Sequence, residues 1–246
     1  MTAEILNLGP ATATVAPVRG LITLLSRALK LDSSALVRLR QYKDSVEVFV
    51  TTPYGVLAAR RIPGTIGRDG LVVSAEQLCT LLKQYIENPV GLEEGVQLSL
   101  GAGMDASWPG ALPATSNFEL VDTIPVMVVS QLADQGQALA QQFSGPLGPP
   151  RSLLDQIVLT VNNQDTELTD TELTDTELTP ALPEKSLVAE IPMRMIFTCT
   201  ALGLIPGFRE AIEIPRYLRV STLGSWVRID APFGSVYYTS RVSVLF

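Results

Sequence analysis

The side chains that could do chemistry in this 246-residue chain are notable first for one that is missing: there is no histidine. That removes the commonest general base, the usual zinc ligand and the ordinary near-neutral proton switch. The only cysteines, Cys79 and Cys199, stand 120 positions apart, in Leu78-Cys79-Thr80-Leu81-Leu82 and Ile196-Phe197-Thr198-Cys199. Cysteines in such apolar runs behave as small buried hydrophobes, and this pair does not make a zinc site. No metal or cofactor is expected. A serine nucleophile has no G-x-S-x-G elbow, no S-x-x-K partner and no histidine, and Gly101-Ala102-Gly103 lacks the third glycine of a dinucleotide loop.

Two constellations remain. Asp105-Ala106-Ser107-Trp108-Pro109-Gly110-Ala111-Leu112-Pro113 is an irregular stretch with an acid, a hydroxyl and one of two tryptophans. It could line a pocket, with Asp105 working beside Asp122 or Asp155, or Trp108 could close the edge of a core. The second constellation is arginine. Arg38 and Arg40 lie two apart on an expected strand and so project from one face. Arg219 is the counterpart of Arg38 in the repeat described below, and Arg60, Arg61 and Arg241 end the following strands. Such faces suit an anionic partner, or else are solvated or paired with the acidic middle of the chain.

The elements that must position these residues come from a repeat. Pro17-Val18-Arg19-Gly20-Leu21-Ile22-Thr23 matches Pro192-Met193-Arg194-Met195-Ile196-Phe197-Thr198 at Pro, Arg and Thr. Leu36-Val37-Arg38-Leu39 matches Tyr217-Leu218-Arg219-Val220, and Thr52-Pro53-Tyr54-Gly55 matches Ala231-Pro232-Phe233-Gly234. Each copy reads as a helix opened by its proline, two strands, a Pro-aromatic-Gly turn and a third strand, Val56–Ile62 or Ser235–Val242. A weaker pair lies between them. Val72-Val73-Ser74 opens a helix followed by a strand at Val96–Leu100, and Val128-Val129-Ser130 opens a helix to Phe143 followed by a strand at Gln156–Val161. The order is A, B, B, A. The expected fold is α+β: two related halves, 1–115 and 116–246, with antiparallel sheets flanked by helices and a pseudo-symmetry from internal duplication.

Charge follows the same division. Residues 1–63 hold eight Lys/Arg and four Asp/Glu, 64–190 hold four and eighteen, and 191–246 hold six and three, giving the overall −7. Part of the central acidity is DTELTDTELTDTELT at Asp165–Thr179, three copies of a five-residue unit with little apolar area, which suggests a disordered loop over 164–186. No uncharged apolar stretch approaches a membrane span of about 20 residues, and Met1–Pro17 has no basic residue to begin a secretory signal. A cytoplasmic protein without a membrane partner is expected.

At Ala106–Pro113, Ser152-Leu153-Leu154-Asp155-Gln156 and Ala231-Pro232-Phe233-Gly234-Ser235-Val236-Tyr237 the chain resembles an uncharacterised family of actinobacterial proteins. The resemblance covers most of the chain outside the DTELT tract, and it implies no activity. The expectation is a non-enzymatic binding protein, with a protein partner or self-association and with Arg38, Arg40, Arg219, Asp105 and Trp108 as binding residues. The alternatives are a histidine-free enzyme with a carboxylate site near Trp108, or a clamp-like scaffold associated with nucleic acid. Nucleic acid is the less favoured partner. Against a clamp stands the 179-residue offset between Pro53 and Pro232, too long for two equal tandem halves.

Overall fold

The computed structural model describes residues 4–87, 95–143, 149–163, 186–207, 210–211 and 213–239. The DTELT tract, Arg241 and the end of the last expected strand lie outside them. The first A unit is β1 (Ile5–Leu8), α1 (Ala11–Leu31), β2 (Leu36–Tyr42), β3 (Ser45–Val50) and β4 (Leu57–Pro63). After the two-residue β5 (Thr65–Ile66), the first B unit is β6 (Val72–Ser74), α2 (Ala75–Glu87) and β7 (Val96–Ser99). The second half reverses the order. Its B unit is β8 (Glu119–Pro125), α3 (Val126–Phe143), the short α4 (Arg151–Leu154) and β9 (Ile157–Asn162). Its A unit is β10 (Val188–Pro192), α5 (Met193–Ala201), β11 (Tyr217–Leu223), β12 (Trp226–Ala231) and β13 (Gly234–Thr239).

Sheet order makes the duplication visible. One eight-stranded antiparallel sheet runs β6-β2-β3-β4-β13-β12-β11-β8, the same series of unit positions read from either end. A three-stranded sheet β5-β1-β7 and a two-stranded sheet β10-β9 occupy matching places in the two halves. The fold is α+β with two related, pseudo-symmetric halves. The A-B-B-A order also explains the long offset between Pro53 and Pro232: one A unit opens the chain and the other ends it.

Local chemistry accounts for the helices. Val18, Leu21, Leu25 and Ala28 of α1 are buried at helical spacing, while Arg19, Arg27 and Lys30 face outward. Pro17 does not open this helix, as its sequence suggested, but stands inside it. The alanine- and threonine-rich residues before it are already helical, and the carbonyl its ring deprives of a partner belongs to exposed Ala13, within reach of water. Pro192 does sit at the N-cap of α5. Ser74 Oγ accepts hydrogen bonds from the Glu76 and Gln77 amides at 3.2 and 3.5 Å and so caps α2, whereas α3 begins at Val126, before the expected Val128.

The halves share one hydrophobic core beneath the helical layer. Their seam is the antiparallel pair β4–β13, with Ala58 opposite Val236 and Ala59 opposite Ser235. Gly234 stands here with φ of 154°, and a side chain on it would place Cβ 2.9 Å from the Ala59 carbonyl oxygen. Two arginines cross the seam. Arg60 donates from Nη1 to the Phe233 carbonyl at 2.6 Å, and Arg194 donates from Nη1 to the Tyr54 carbonyl at 2.6 Å. Tyr54 and Phe233 are counterparts in the repeat, so each half caps the other's turn. Arg60 crosses α1 where Gly20 has no side chain to block it; a Cβ there would lie 2.2 Å from the guanidinium carbon.

Replacing Arg60 with Met removes a charged donor and leaves a carbonyl at the seam unpaired, so stability should fall by about 1.5–3 kcal/mol. Urea denaturation should show a lower midpoint at unchanged m-value; an unaltered midpoint would remove the seam arginine from the account of how the halves are held.

Candidate functional site

The outer face of the large sheet, opposite the helices, gathers most of the residues singled out by sequence. Cross-strand pairing puts Arg38, Phe49, Ala59, Ser235, Asp230 and Arg219 in a single row. Arg38 and Arg219 therefore share a face at equivalent positions, but five strand spacings apart, roughly 24 Å at about 4.8 Å each. They form no common patch. Arg219 is exposed and makes no ion pair among the described residues. Arg38 donates from Nε to the Gly70 carbonyl at 3.2 Å, and its guanidinium lies 5.9 Å from the Trp108 ring centre.

Arg40 is held more tightly. It pairs with Glu47 at 2.7 Å, donates to the Pro113 carbonyl and lies 4.7 Å over the Phe49 ring. Glu47, only 5% exposed, also meets Arg61 at 3.3 Å. Charges buried on a sheet face need such pairing. Arg60 is not part of this face. Burial lowers its pKa from the usual arginine value, and it points through the helical side to the seam.

The Asp105–Pro113 stretch crosses the outer face as the link between the halves. Trp108, Phe49, Ala59, Val72 and Tyr237 form a second small core there, joined by Leu112 and Phe118. Asp105 Oδ1 accepts from the Val72 amide at 2.9 Å, and its other oxygen meets Arg68 at 2.7 Å. Trp108 Nε1 is buried with no hydrogen-bond partner. Asp105 and Trp108 thus lie close together and hold the link to the sheet. Asp155 lies elsewhere, paired with Arg194. Among the described residues no group of three or more His, Cys, Asp or Glu could hold a metal ion.

Sequence reasoning missed two concave surfaces because each needs both halves. A pocket of about 590 Å³ lies between α3 and α5, bordered by Tyr54, Asp134, Gln137 and Phe197. A larger groove, about 1110 Å³, runs along the seam past Leu57, Ala111, Val188, Glu190, Trp226 and Tyr238. It also exposes two aliphatic side chains, Val188 by 55% and Ile157 by 43%. The Arg194–Asp155 pair also lines it, with the Arg194 side chain 5.3 Å from the Tyr238 ring centre. No helix among the described residues is long and apolar enough to cross a membrane.

Two measurements test this geometry. Asp105→Ala leaves the Val72 amide without its acceptor and should cost about 1–3 kcal/mol, read by thermal or urea unfolding; a neutral effect would mean the link is not held there. Tyr237 is pushed up to about 12, first by burial and then by Glu47. A neutral phenol favoured by folding contributes fully below its unfolded value of 10.0, and that contribution is lost as pH rises through about 12. Absorbance at alkaline pH should therefore show Tyr237 ionising late, together with unfolding, and Tyr54, which burial also raises, delayed in the same direction. Early ionisation of every tyrosine in the folded protein would contradict the burial.

Comparison with known proteins agrees with this architecture. The chain matches solved structures of the DNA polymerase sliding clamp of Bacillus subtilis (12% identity, TM-score 0.51, 100% of this chain and 68% of that one). It also matches a chain assigned as a DNA polymerase III beta subunit from Eubacterium rectale (10%, 0.54, 99% and 66%) and the C. crescentus beta sliding clamp (11%, 0.50, 97% and 65%). At such identities the likeness is one of fold, and the chain spans about two thirds of the length of these clamps. No curated protein matches it in sequence. Residues 11–110 match a domain of unknown function, DUF8010, and residues 113–243 match a second, DUF8185. With more than half its length in that second match, and on a sliding-clamp-like fold, the chain belongs to the DUF8185 family.

Proposed function

We propose that the protein is a non-catalytic binding scaffold that takes a protein segment into the groove along its seam. The observation that carries this reading is the groove itself: aliphatic Val188 and Ile157 stand exposed beside Trp226 and Tyr238, where two halves meet. Apolar and aromatic anchors in a concave surface are what a peptide side chain needs to gain affinity. Glu190 lies on the groove while Arg194 is already paired with Asp155. An apolar segment carrying a basic residue complements it.

The clamps of similar fold are named for DNA polymerase, and a nucleic-acid role here needs cations along a binding surface. Of the helices, α1 exposes Arg19, Arg27 and Lys30 and the one-turn α4 exposes Arg151, but α2 carries Lys83 against Glu76 and Glu87, α3 has Asp134 and no cation, and Arg194 of α5 is paired with Asp155. That balance gives poor counter-charge for a phosphate backbone. A protein partner is the better reading, and the outer-face arginines belong mainly to holding the link in place.

Peptide display on the wild-type protein should select apolar sequences with a Lys or Arg. Val188→Asp, at an exposed position, should weaken them by at least about tenfold, the loss of one well-placed apolar contact. A labelled duplex at low salt should show no binding. Retention of duplex that falls steeply with salt, with no peptide selected, would overturn the proposal.

A further inference from the structure

The pocket between α3 and α5 has an equivalent place in the first half, and the two are filled differently. Leu36 and Tyr217 are matched residues of the repeat, and they pair with Ser74 and Pro125 respectively. Ser74 and Pro125 are therefore equivalent, and α2 and α3 start in step at Ala75 and Val126. On the face toward the neighbouring helix, Cys79 then corresponds to Ser130, Leu82 to Ala133, Tyr85 to Gly136 and Ile86 to Gln137. In the first half Cys79, Leu82 and Tyr85 are buried. Cys79 Sγ meets Ser26 Oγ of α1 at 3.5 Å, and Tyr85 Oη meets Thr14 Oγ1 at 2.8 Å. Counted from the matched prolines, Ser26 corresponds to Ala201. The Ser26–Cys79 contact of one half is thus replaced in the other by Ala201 and Ser130, both on the pocket wall.

Close approach makes up part of the lost volume. A Cβ at Gly136 would lie 2.7 Å from Met193 Sδ and 2.9 Å from the Phe197 ring, so the helices touch there. Beside Ala133 they do not, and about 590 Å³ stays open at a cost to packing. The open space has a definite chemistry. Tyr54 and Phe197 supply two aromatic rings with centres 6.3 Å apart, and Ser130 and Gln137 supply neutral polar groups. Burial holds the Tyr54 phenol above its usual 10.0, so it stays neutral. Asp134 is the one charged residue on the described wall, exposed and without an ion pair among the described residues. Its equivalent in α2 is Lys83, so the charge, like the opening, belongs to the second half alone. We infer that this pocket binds a small organic cation, with an ammonium head at Asp134 and an apolar body against the Tyr54 and Phe197 rings. A carboxylate and aromatic faces both attract an ammonium group and disfavour an anion. The volume lies within the roughly 300–1,000 Å³ usual for small-molecule sites. The inference does not rest on the groove reading.

Alanine-methyl NMR of the full chain reads the site directly. Titration with 2-phenylethylammonium should shift the methyls of Ala133, Ala140 and Ala201 and saturate below about 10 mM. Ala111, on the groove, should stay unmoved. 2-Phenylethanol and phenylacetate, similar in shape but neutral and anionic, should bind at least about tenfold more weakly. Asp134→Asn, at an exposed position, should weaken the cation by at least about fivefold and leave the alcohol unchanged. Ala133→Leu restores the first-half residue and should abolish the shifts at Ala140 and Ala201. If that variant misfolds, Ala201→Leu at an exposed wall position makes the same test, read at Ala133 and Ala140. The inference is overturned by the absence of saturable shifts at these alanines, by shifts confined to Ala111, or by equal affinity for cation and alcohol. Undiminished binding of the cation to Asp134→Asn or to the filled variant would overturn it equally.

Discussion

The antiparallel join of β4 to β13 is the constraint on which the rest of the molecule depends. It turns two four-stranded sheets into one of eight, and it brings the two Pro-aromatic-Gly turns to the middle of the molecule. The backbone approach is close enough that Gly234 has no room for a side chain beside the Ala59 carbonyl. The Tyr54 and Phe233 carbonyls lie part-buried beside this join, and a carbonyl so placed is best met by a donor. Arg60 and Arg194 supply one each, from opposite sides of the seam. Gly20 is part of the same arrangement, since any larger residue on α1 would stand where the Arg60 guanidinium passes.

A sheet joined in this way still has two faces to cover. The helices and shared core take one. The link between the halves takes much of the other, placing Trp108, Leu112 and Phe118 against Phe49 and Tyr237, whose rings lie 5.6 Å apart. Five of the six residues of β3 are buried as a result. Polar groups on that face survive burial only in company: Glu47 between Arg40 and Arg61, Asp105 between the Val72 amide and Arg68. Arg38, Arg40 and Asp105 thus all have partners that help to close the sheet, whereas Arg219 is exposed.

The larger concave surface among the described residues lies where the two halves join. The groove follows the seam, where matching halves meet without filling the space between them. A sliding-clamp-like fold is combined here with a charge pattern of its own, basic at both ends of the chain and acidic in the middle.

The duplicated organisation was legible in the residues, because its signals are local. Alternating Val46, Val48 and Val50 make a strand, Ser74 caps a helix, and a Pro-aromatic-Gly triplet makes a turn wherever it stands. The A-B-B-A order followed from repeats of those signals. What the sequence by itself determined was the set of units and their α+β class. The tertiary structure alone decided that the first and last units would be neighbours, that Arg60 would turn inward while Arg38 and Arg40 faced outward, and that Pro17 would be absorbed into α1. Residues 179 positions apart carry no local sign of contact, since pairing between distant strands depends on backbone groups that every residue shares. Which arginine binds a carbonyl and which meets water is settled only when the sheets close.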